Sequence, residues 1–140
     1  MPLRMEGLAP LLQVYDMPTS VRFYRDVLGF LLTQHSEPLD ADPLNFDWCM
    51  MERDGATLML NTAYEQPDRP PQPDPKRIAA HEDTSLFFGC PDPEQAYQHL
   101  QAHGYPADKP KVAPYGMKQL NLKDPDGYGI CLQWPADQCP

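Results

Sequence analysis

Histidine is the residue type in this chain best suited to metal binding or proton transfer, and two of its four histidines have a suggestive spacing. His99 and His103 are four residues apart on a predicted helix, which places both rings on one face, where they could hold zinc. No Glu follows His99, so the H-E-x-x-H pattern of zinc proteases is absent. The sequence therefore favours two solvent-exposed histidines on this helix over a zinc site. His35 ends a predicted strand and His81 lies in a polar loop; either could border a pocket, although a surface position is favoured for each.

Nucleophilic and acid–base catalysis have no local motif in this sequence. There is no G-x-S-x-G, no glycine-rich phosphate loop and no Cys beside a His. Asp124 and Asp126 belong to a D-P-D-G segment, in which Asp serves a tight turn. The cysteines never form a C-x-x-C spacing, and three of the four lie in apolar runs. We therefore predict free thiols, without disulfide, zinc or nucleophile roles.

The elements that would position these residues occur twice. Residues 11–29 run from an apolar strand through an Asp and a Pro into an amphipathic helix that ends at a Gly, and residues 84–104 repeat this plan. Asp at a helix start and Gly at its end match the preferred caps. We predict helices near 17–28 and 92–103. The duplication predicts two similar half-domains, with function to be sought in the cleft between them.

Strands and turns complete both halves as β-α-β-β-β modules. The first strand, Leu8–Tyr15, is apolar enough to be buried on both faces. The other predicted strands are Phe30–His35, Phe46–Glu52, Ala56–Asn61, Thr84–Cys90, Val112–Ala113, Lys118–Leu122 and Gly129–Trp134. The proline-rich stretch 66–76 predicts a stiff, extended linker without a regular element. The predicted boundaries are about 5–65 for module one, 66–80 for the linker and about 81–137 for module two.

Composition limits the classes of partner. The chain has 140 residues, a net charge of −9 and a pI near 4.7, so it lacks the basic footprint that nucleic acid requires. It also lacks an apolar run of membrane-spanning length, a basic membrane anchor and an apolar signal stretch at its start. We expect one domain in the cytoplasm, with small molecules or proteins as partners.

Two segments carry a family resemblance. Val14-Tyr-Asp16, followed by Ser20-Val-x-Phe-Tyr24-Arg-Asp-Val-Leu-Gly-Phe30, resembles the first helix of the vicinal oxygen chelate superfamily. Tyr115-Gly-Met117 and Asp124-Pro-Asp-Gly-Tyr128 resemble its closing hairpin. This superfamily includes glyoxalase I, extradiol dioxygenases and bleomycin-resistance proteins. The resemblance implies an α+β fold of two βαβββ modules, whose mixed sheets curl into an open barrel around a cleft, usually in a homodimer.

The same resemblance implies where a metal would be held. Enzymes of the superfamily place His or Glu on the first and last strands of each module. Those places fall here at Ala9, Met59, at or near Ser85, and at Cys131. A hard divalent ion prefers oxygen or imidazole ligands, which this set does not supply. We therefore predict no metal and no other cofactor.

Without a metal, the lining of the cleft must explain function. Candidate inward residues depend on strand register: Phe46, Trp48, Met50, Leu58, Leu60, Phe87, Leu120, Leu122, Leu132 and Trp134. From these and the Tyr115-Gly-Met117 segment we predict a ligand-binding wall of Trp48, Tyr115, Met117 and Trp134. Rings and thioethers suit flat apolar or aromatic ligands, and the acidic net charge favours cationic ones.

Three functional hypotheses remain open at this point. The first is a metal-independent protein that sequesters a small molecule, as bleomycin-resistance proteins do. The second is a glyoxalase-like lyase or a dioxygenase with a divergent metal site or none. The third is a filled cleft in a purely structural dimer. The missing metal ligands favour the first hypothesis, and the identity of the ligand does not follow from the sequence.

Overall fold

The computed structural model describes residues 2–140 and divides the chain into two compact units. Unit 1 ends at Arg69 and unit 2 begins at Pro70. Each unit has a four-stranded mixed sheet and the element order β-α-β-β-β, and unit 2 carries one additional short helix at its start. The predicted α+β fold of two βαβββ modules is confirmed.

Unit 1 is built around a sheet with the strand order β1-β4-β3-β2. Strand β1 runs parallel to β4, and the other neighbours are antiparallel. Positive φ angles at Asp54 and Gly55 close the β3–β4 hairpin, as the Asp-Gly pair predicts. The elements are β1 (Leu11–Val14), α1 (Met17–Arg22), β2 (Leu31–His35), β3 (Trp48–Arg53) and β4 (Ala56–Thr62).

Helix α1 starts at a side-chain cap and widens before it ends. The Asp16 carboxylate accepts the backbone N–H of Thr19 at 3.1 Å, which satisfies one of the unpaired N–H groups of the first turn. A π-helical turn follows at Phe23–Val27, in which the N–H of Leu28 donates to the carbonyl of Phe23 at 3.1 Å. The helix predicted over 17–28 is therefore confirmed, with a wide turn in its second half.

Gly29 and Arg53 close this helix. Gly29 has a φ of +80°, a backbone conformation that side chains disfavour. Arg53 Nη1 donates to the carbonyls of Leu28 and Gly29, each at 3.1 Å. A Cβ at position 29 would collide with the Arg53 guanidinium. The predicted closing glycine is thus required by both backbone angle and space.

One face of the unit 1 sheet packs against α1, and the strands alternate accordingly. Strand β1 has Leu12 and Val14 buried, while Leu11 is 47% exposed. The prediction that this strand is buried on both faces is therefore wrong, because the helix covers only one of them. The buried face is completed by Cys49, Met51, Leu58 and Leu60.

Unit 2 repeats the plan with the strand order β5-β8-β7-β6. Strand β5 runs parallel to β8, and the remaining pairs are antiparallel. Its elements are α2 (Pro75–Ala80), β5 (Ser85–Gly89), α3 (Pro93–Ala102), β6 (Lys111–Val112), β7 (Met117–Lys123) and β8 (Gly129–Pro135). The helix predicted near 92–103 is confirmed as α3, which buries Leu100 against β7 and β8. Asp92 caps α3 by accepting the backbone N–H of Gln95 at 3.1 Å.

The turn between β7 and β8 is held by its first residue, as the D-P-D-G segment predicts. Asp124 Oδ1 accepts the backbone N–H groups of Asp126 and Tyr128, both at 2.9 Å. All three residues are buried. Asp serves the backbone at this position because its short carboxylate reaches N–H groups two and four residues ahead.

The stretch 66–80 differs from the extended linker that its prolines predict. A 3₁₀ turn covers Gln66–Asp68, and α2 begins at Pro75, with the Asp74 carboxylate accepting the backbone N–H of Lys76 at 3.0 Å. The prediction that this stretch contains no regular element is therefore wrong at both of its ends. Proline at the first helical position after a capping Asp starts a helix rather than preventing one.

The cysteines and the lengths of the helices complete the description of the fold. All four cysteines are free thiols, with Cys49 and Cys131 buried, as predicted. Burial raises the pKa of Cys49 to about 11, which keeps this thiol protonated at neutral pH. Within residues 2–140, no helix has the length and apolarity to cross a membrane.

The Asp caps of α1 and α3 yield a stability prediction because, among residues 2–140, only the cap of α1 has an ionic partner. Asp16 accepts hydrogen bonds from Thr19 and also from Arg69 Nη1 at 2.7 Å, whereas the Asp92 carboxylate accepts only from Gln95 among residues 2–140. We expect Asp92→Ala to lower the free energy of unfolding by about 1 kcal/mol and Asp16→Ala by up to about 2 kcal/mol. Urea denaturation at pH 7 measures both. Equal costs would show that Arg69 adds nothing.

Acid should remove the difference in stabilisation between the Asp16 cap and the Asp92 cap. Burial raises the pKa of Asp16, but hydrogen bonds from Thr19 and Arg69 outweigh it and leave this pKa below its ordinary value of 3.8. A lowered folded-state pKa stabilises the fold above the ordinary value, and this contribution is lost as the pH falls through the folded-state value. The cost of Asp16→Ala should therefore shrink below about pH 4. A cost that stays constant to pH 3 would contradict the ionic partnership.

Candidate functional site

Each unit has a second sheet face, opposite its helix, and we define these as the open faces of unit 1 and unit 2. The open face of unit 1 follows from its register. Gln13, Asn61 and Trp48 are neighbours on β1, β4 and β3, and Leu11, Met59 and Met50 form the adjacent row. Since side chains alternate along a strand, none of these six shares a face with the buried Leu58 and Leu60. This face therefore carries one half-buried indole ring, two half-buried thioethers and the amide of Asn61, with Leu11 and Gln13 exposed at its β1 edge.

The strand registers decide which of the apolar candidates could line a binding surface. Trp48, Met50 and Phe87 belong to the open faces, and Phe87 is 58% exposed. Five other candidates lie on the helix-covered faces: Leu58, Leu60, Leu120, Leu122 and Leu132. Phe46 precedes β3 and is fully buried. Sequence alone could not separate these groups because both faces of the strands are apolar.

Three of the four places at which the family resemblance implies metal ligands, Met59, Ser85 and Cys131, lie on the open faces by strand register, and Ala9 precedes β1. Met59 pairs with Leu11, and Cys131 pairs with Phe87, in both cases away from the helix. Neither side chain fits a hard divalent ion: Met59 offers a thioether, and burial raises the pKa of the Cys131 thiol, which keeps it protonated. Within residues 2–140, no three His, Cys, Asp or Glu side chains are grouped closely enough to hold a metal.

Three of the four predicted wall residues lie at one end of unit 2. Tyr115 is 69% exposed in the turn before β7, next to Gly116, whose φ is +89°. Met117 begins β7 opposite Pro135, and the backbone N–H of Ala136 donates to the Gly116 carbonyl at 2.8 Å. This bond fixes the turn to the end of β8. Trp48, the fourth residue, belongs to unit 1, and the binding role of the set stays a prediction.

Trp134 has a different environment from the other three. It pairs with Lys118 on β7, and Lys118 Nζ lies 2.9 Å from Glu94 Oε1 of α3. Register therefore places Trp134 on the helix side of the sheet. Its half-buried ring nevertheless reaches Gly89, which pairs with Gln133 of the open face, and an added Cβ at Gly89 would lie 3.3 Å from Cζ3 of Trp134. A larger residue at position 89 would displace this ring.

A polar network beside Tyr115 was missed by the sequence analysis. Gln119 Nε2 donates to Tyr115 Oη at 2.8 Å and to Gln133 Oε1 at 2.9 Å. Gln119 and Gln133 are paired across β7 and β8 on the open face of unit 2. Polar residues at alternate positions of an otherwise apolar strand were the available signal. We name Tyr115, Gln119 and Gln133 the amide network.

The histidines occupy surface or structural positions. His99 and His103 are exposed on α3, as predicted, with ring centroids 4.2 Å apart. His35 is exposed and stacks on Phe46 at 4.7 Å. These three histidines therefore lie at the protein surface, the position that the sequence favoured for them.

His81 is the most constrained histidine and lies at the end of α2. Its ring stacks on Tyr128 at a centroid distance of 3.9 Å, beside the ion pair of Arg77 Nη1 with Asp126 Oδ1 at 2.8 Å. Burial, together with the nearby Arg77 charge, lowers the pKa of His81, and Asp126 opposes this shift. The cluster ties α2 to the β7–β8 turn of unit 2, a structural role that the sequence did not indicate.

Known proteins agree with this architecture. A family model described as Glyoxalase/Bleomycin resistance protein/Dioxygenase superfamily matches residues 8–132. The fold is similar to that of TnmS3, an antibiotic binding protein from Streptomyces sp. CB03234, with 24% identity over 96% of this chain and 99% of that chain and a TM-score of 0.67. No curated protein sequence gives a significant match.

Two further solved structures share the fold at lower identity. A bleomycin-binding protein complexed with bleomycin is 20% identical over 92% of this chain and 98% of its own, with a TM-score of 0.63. A lactoylglutathione lyase from Agrobacterium tumefaciens is 16% identical over 93% of each chain, also with a TM-score of 0.63. The resemblance noted in the sequence is confirmed, and the chain belongs to the glyoxalase/bleomycin resistance protein/dioxygenase superfamily.

Proposed function

We propose that this protein binds and sequesters an apolar, aromatic small molecule on its open faces without a metal. The proposal rests on the side chains found where the family resemblance implies metal ligands. Met59 and Cys131 lie at two of these positions, and the neighbouring rows of the open faces hold Trp48 in unit 1 and the amide network in unit 2. Such a surface can stack a flat ring and hydrogen-bond its edge, and its charged side chains Glu52 and Lys123 lie exposed near strand ends.

The comparison with solved structures supports binding as the general role. The shared fold includes an antibiotic binding protein and a bleomycin-binding protein. It also includes a lyase, so the fold alone does not select between binding and catalysis. The choice rests on the residues of the open faces. We propose Trp48 as the ligand contact on unit 1, and Tyr115, Met117 and Trp134 as the ligand contacts on unit 2.

Alanine variants of the two tryptophans separate a binding role from a core role. Removing a ring that contacts the ligand should weaken binding of a flat aromatic compound by about 1–3 kcal/mol, through lost area and lost stacking. Removing a core ring should instead lower stability by about 3–5 kcal/mol and leave affinity unchanged. We expect Trp48→Ala to follow the first pattern. Calorimetric titration and urea denaturation of the same samples measure both quantities.

Leu60→Ala is the matched control for Trp48→Ala because Leu60 is fully buried on the other face of the same sheet. It should lower stability without a specific loss of affinity. Trp134→Ala tests the fourth proposed contact, whose register places it on the helix side of its sheet. If Trp48→Ala loses only stability across a broad panel of aromatic compounds, the binding proposal fails.

Metal content gives an independent prediction. Protein purified without chelator should contain well under one equivalent of divalent metal per chain by elemental analysis, because Met59 and Cys131 provide no oxygen or imidazole donor. Cys131→Ser should leave that content unchanged. Stoichiometric metal in the wild type that disappears in this variant would overturn the metal-independent mechanism.

We also propose a homodimer. The edge strands β2 and β6 carry the exposed apolar residues Leu31, 70% exposed, and Val112, 61% exposed. Edges of this kind invite pairing, and a closed two-fold dimer is the commonest arrangement that covers them. Light scattering should report about twice the 15.9 kDa chain mass. Leu31→Lys or Val112→Lys should shift the protein towards monomer, whereas a wild-type monomer at micromolar concentration would contradict the proposal.

A further inference from the structure

On both open faces, the polar side chains that lie away from the strand ends are carboxamides. In unit 1, Asn61 lies two residues after Met59, and in unit 2, Gln133 lies two residues after Cys131. The duplicated modules therefore carry an amide at the same place on their last strand. The members of this set are Gln13, Asn61, Asn121, Gln119 and Gln133.

The amide network of unit 2 has a defined hydrogen-bonding direction. Both N–H groups of the Gln119 amide are occupied, one by Tyr115 Oη and the other by Gln133 Oε1. Gln119 Oε1 and Gln133 Nε2 have no hydrogen-bond partner among residues 2–140. The network thus presents one acceptor and one donor side by side, next to the ring of Tyr115.

Unit 1 shows a similar arrangement. Asn61 Nδ2 donates to Gln13 Oε1 at 3.4 Å, and Asn61 pairs with Trp48 across β3 and β4. No residue among 2–140 accepts a hydrogen bond from the indole Nε1 of Trp48. An aromatic ring beside an amide row is therefore present on both open faces.

Charged side chains lie at the margins of these rows although the chain has a net charge of −9. Glu52 and Lys123 are at strand ends and exposed. Lys111 pairs with Gln119 from the edge strand β6 and is also exposed, where a charge is screened by water and contributes little. The net charge can steer approach from a distance, but the contacting groups select the ligand.

We propose that the ligand is an uncharged planar molecule with a hydrogen-bond donor and acceptor side by side on its edge, as in a lactam. Gln119 Oε1 accepts from the ligand N–H, Gln133 Nε2 donates to its carbonyl, and the ring lies against Tyr115. An ionised ligand would lose hydration without gaining a counter-charge from the amides, which is costly. This inference rests on the proposed binding function and replaces the cationic ligand favoured by net charge with a neutral one.

Three probes that share one bicyclic ring test the charge preference directly. Carbostyril is a neutral lactam, N-methylquinolinium is a cation and quinaldate is an anion. We expect calorimetric titration of the wild type to show carbostyril binding at least about tenfold more tightly than either ion, because paired neutral groups avoid the desolvation of a charge. A cation or an anion that binds as tightly as carbostyril overturns this inference and leaves the proposed function standing.

Variants of the network test the assigned contacts. Gln119→Leu should weaken carbostyril binding about tenfold, since it removes the acceptor and releases Tyr115 and Gln133. Gln119→Glu should reverse the preference towards N-methylquinolinium, which a merely structural role would not produce. Gln95→Leu, on the exposed surface of α3, is the matched control and should change neither affinity. Unchanged carbostyril affinity in Gln119→Leu contradicts the contacts, and binding of none of the probes counts against the proposed function itself.

Discussion

Each sheet has only one face covered by its own helix, and most of the properties of this protein depend on that constraint. Residues on a strand alternate between two faces, so every strand must supply an apolar set for the helix side and a different set for the other side. In unit 1, Leu58 and Leu60 are buried beneath α1, while Met59 and Asn61, which follow them one by one along β4, belong to the open face. In unit 2, Leu120 and Ile130 are buried beside α3, and Gln119 faces the other way. The fold thus provides a packed core and leaves a second surface whose chemistry can vary.

The composition of that second surface connects the fold to its proposed role. The superfamily to which the chain belongs includes enzymes and binding proteins, and the two classes can share the same core. This chain pairs soft sulfur side chains at Met59 and Cys131 with amides two residues later, at Asn61 and Gln133. A thioether and a protonated thiol fill space without attracting a hard ion, and amides hydrogen-bond without carrying charge. Together they favour recognition over activation of a ligand.

The sequence was informative wherever a local rule governs the structure. Capping Asp and closing Gly residues located both main helices, and the Asp54-Gly55 and Asp124-Pro-Asp-Gly127 segments located turns. It was less informative where an interaction between distant residues decides: the placement of Trp134 depends on its pairing with Lys118, and the role of Arg77 depends on Asp126, far along the chain. Proline content also misled, because Asp74 and Pro75 start α2 instead of extending a linker. The amide network escaped notice because alternate polar positions along β7 indicate only a face outside the core, and the strand register is needed to bring Gln119 and Gln133 together.

The central claim is that the open faces, and not the helices, recognise a neutral ring ligand. The most direct measurement is a two-dimensional ¹H–¹⁵N spectrum recorded with increasing carbostyril, with the side-chain amides and indole N–H groups assigned. We expect the signals of Gln119 and Gln133 to shift together and saturate, while those of Gln95 and Gln98 on α3 do not move. Saturating shifts confined to the helix amides, with the Gln119 and Gln133 signals unmoved, would contradict it.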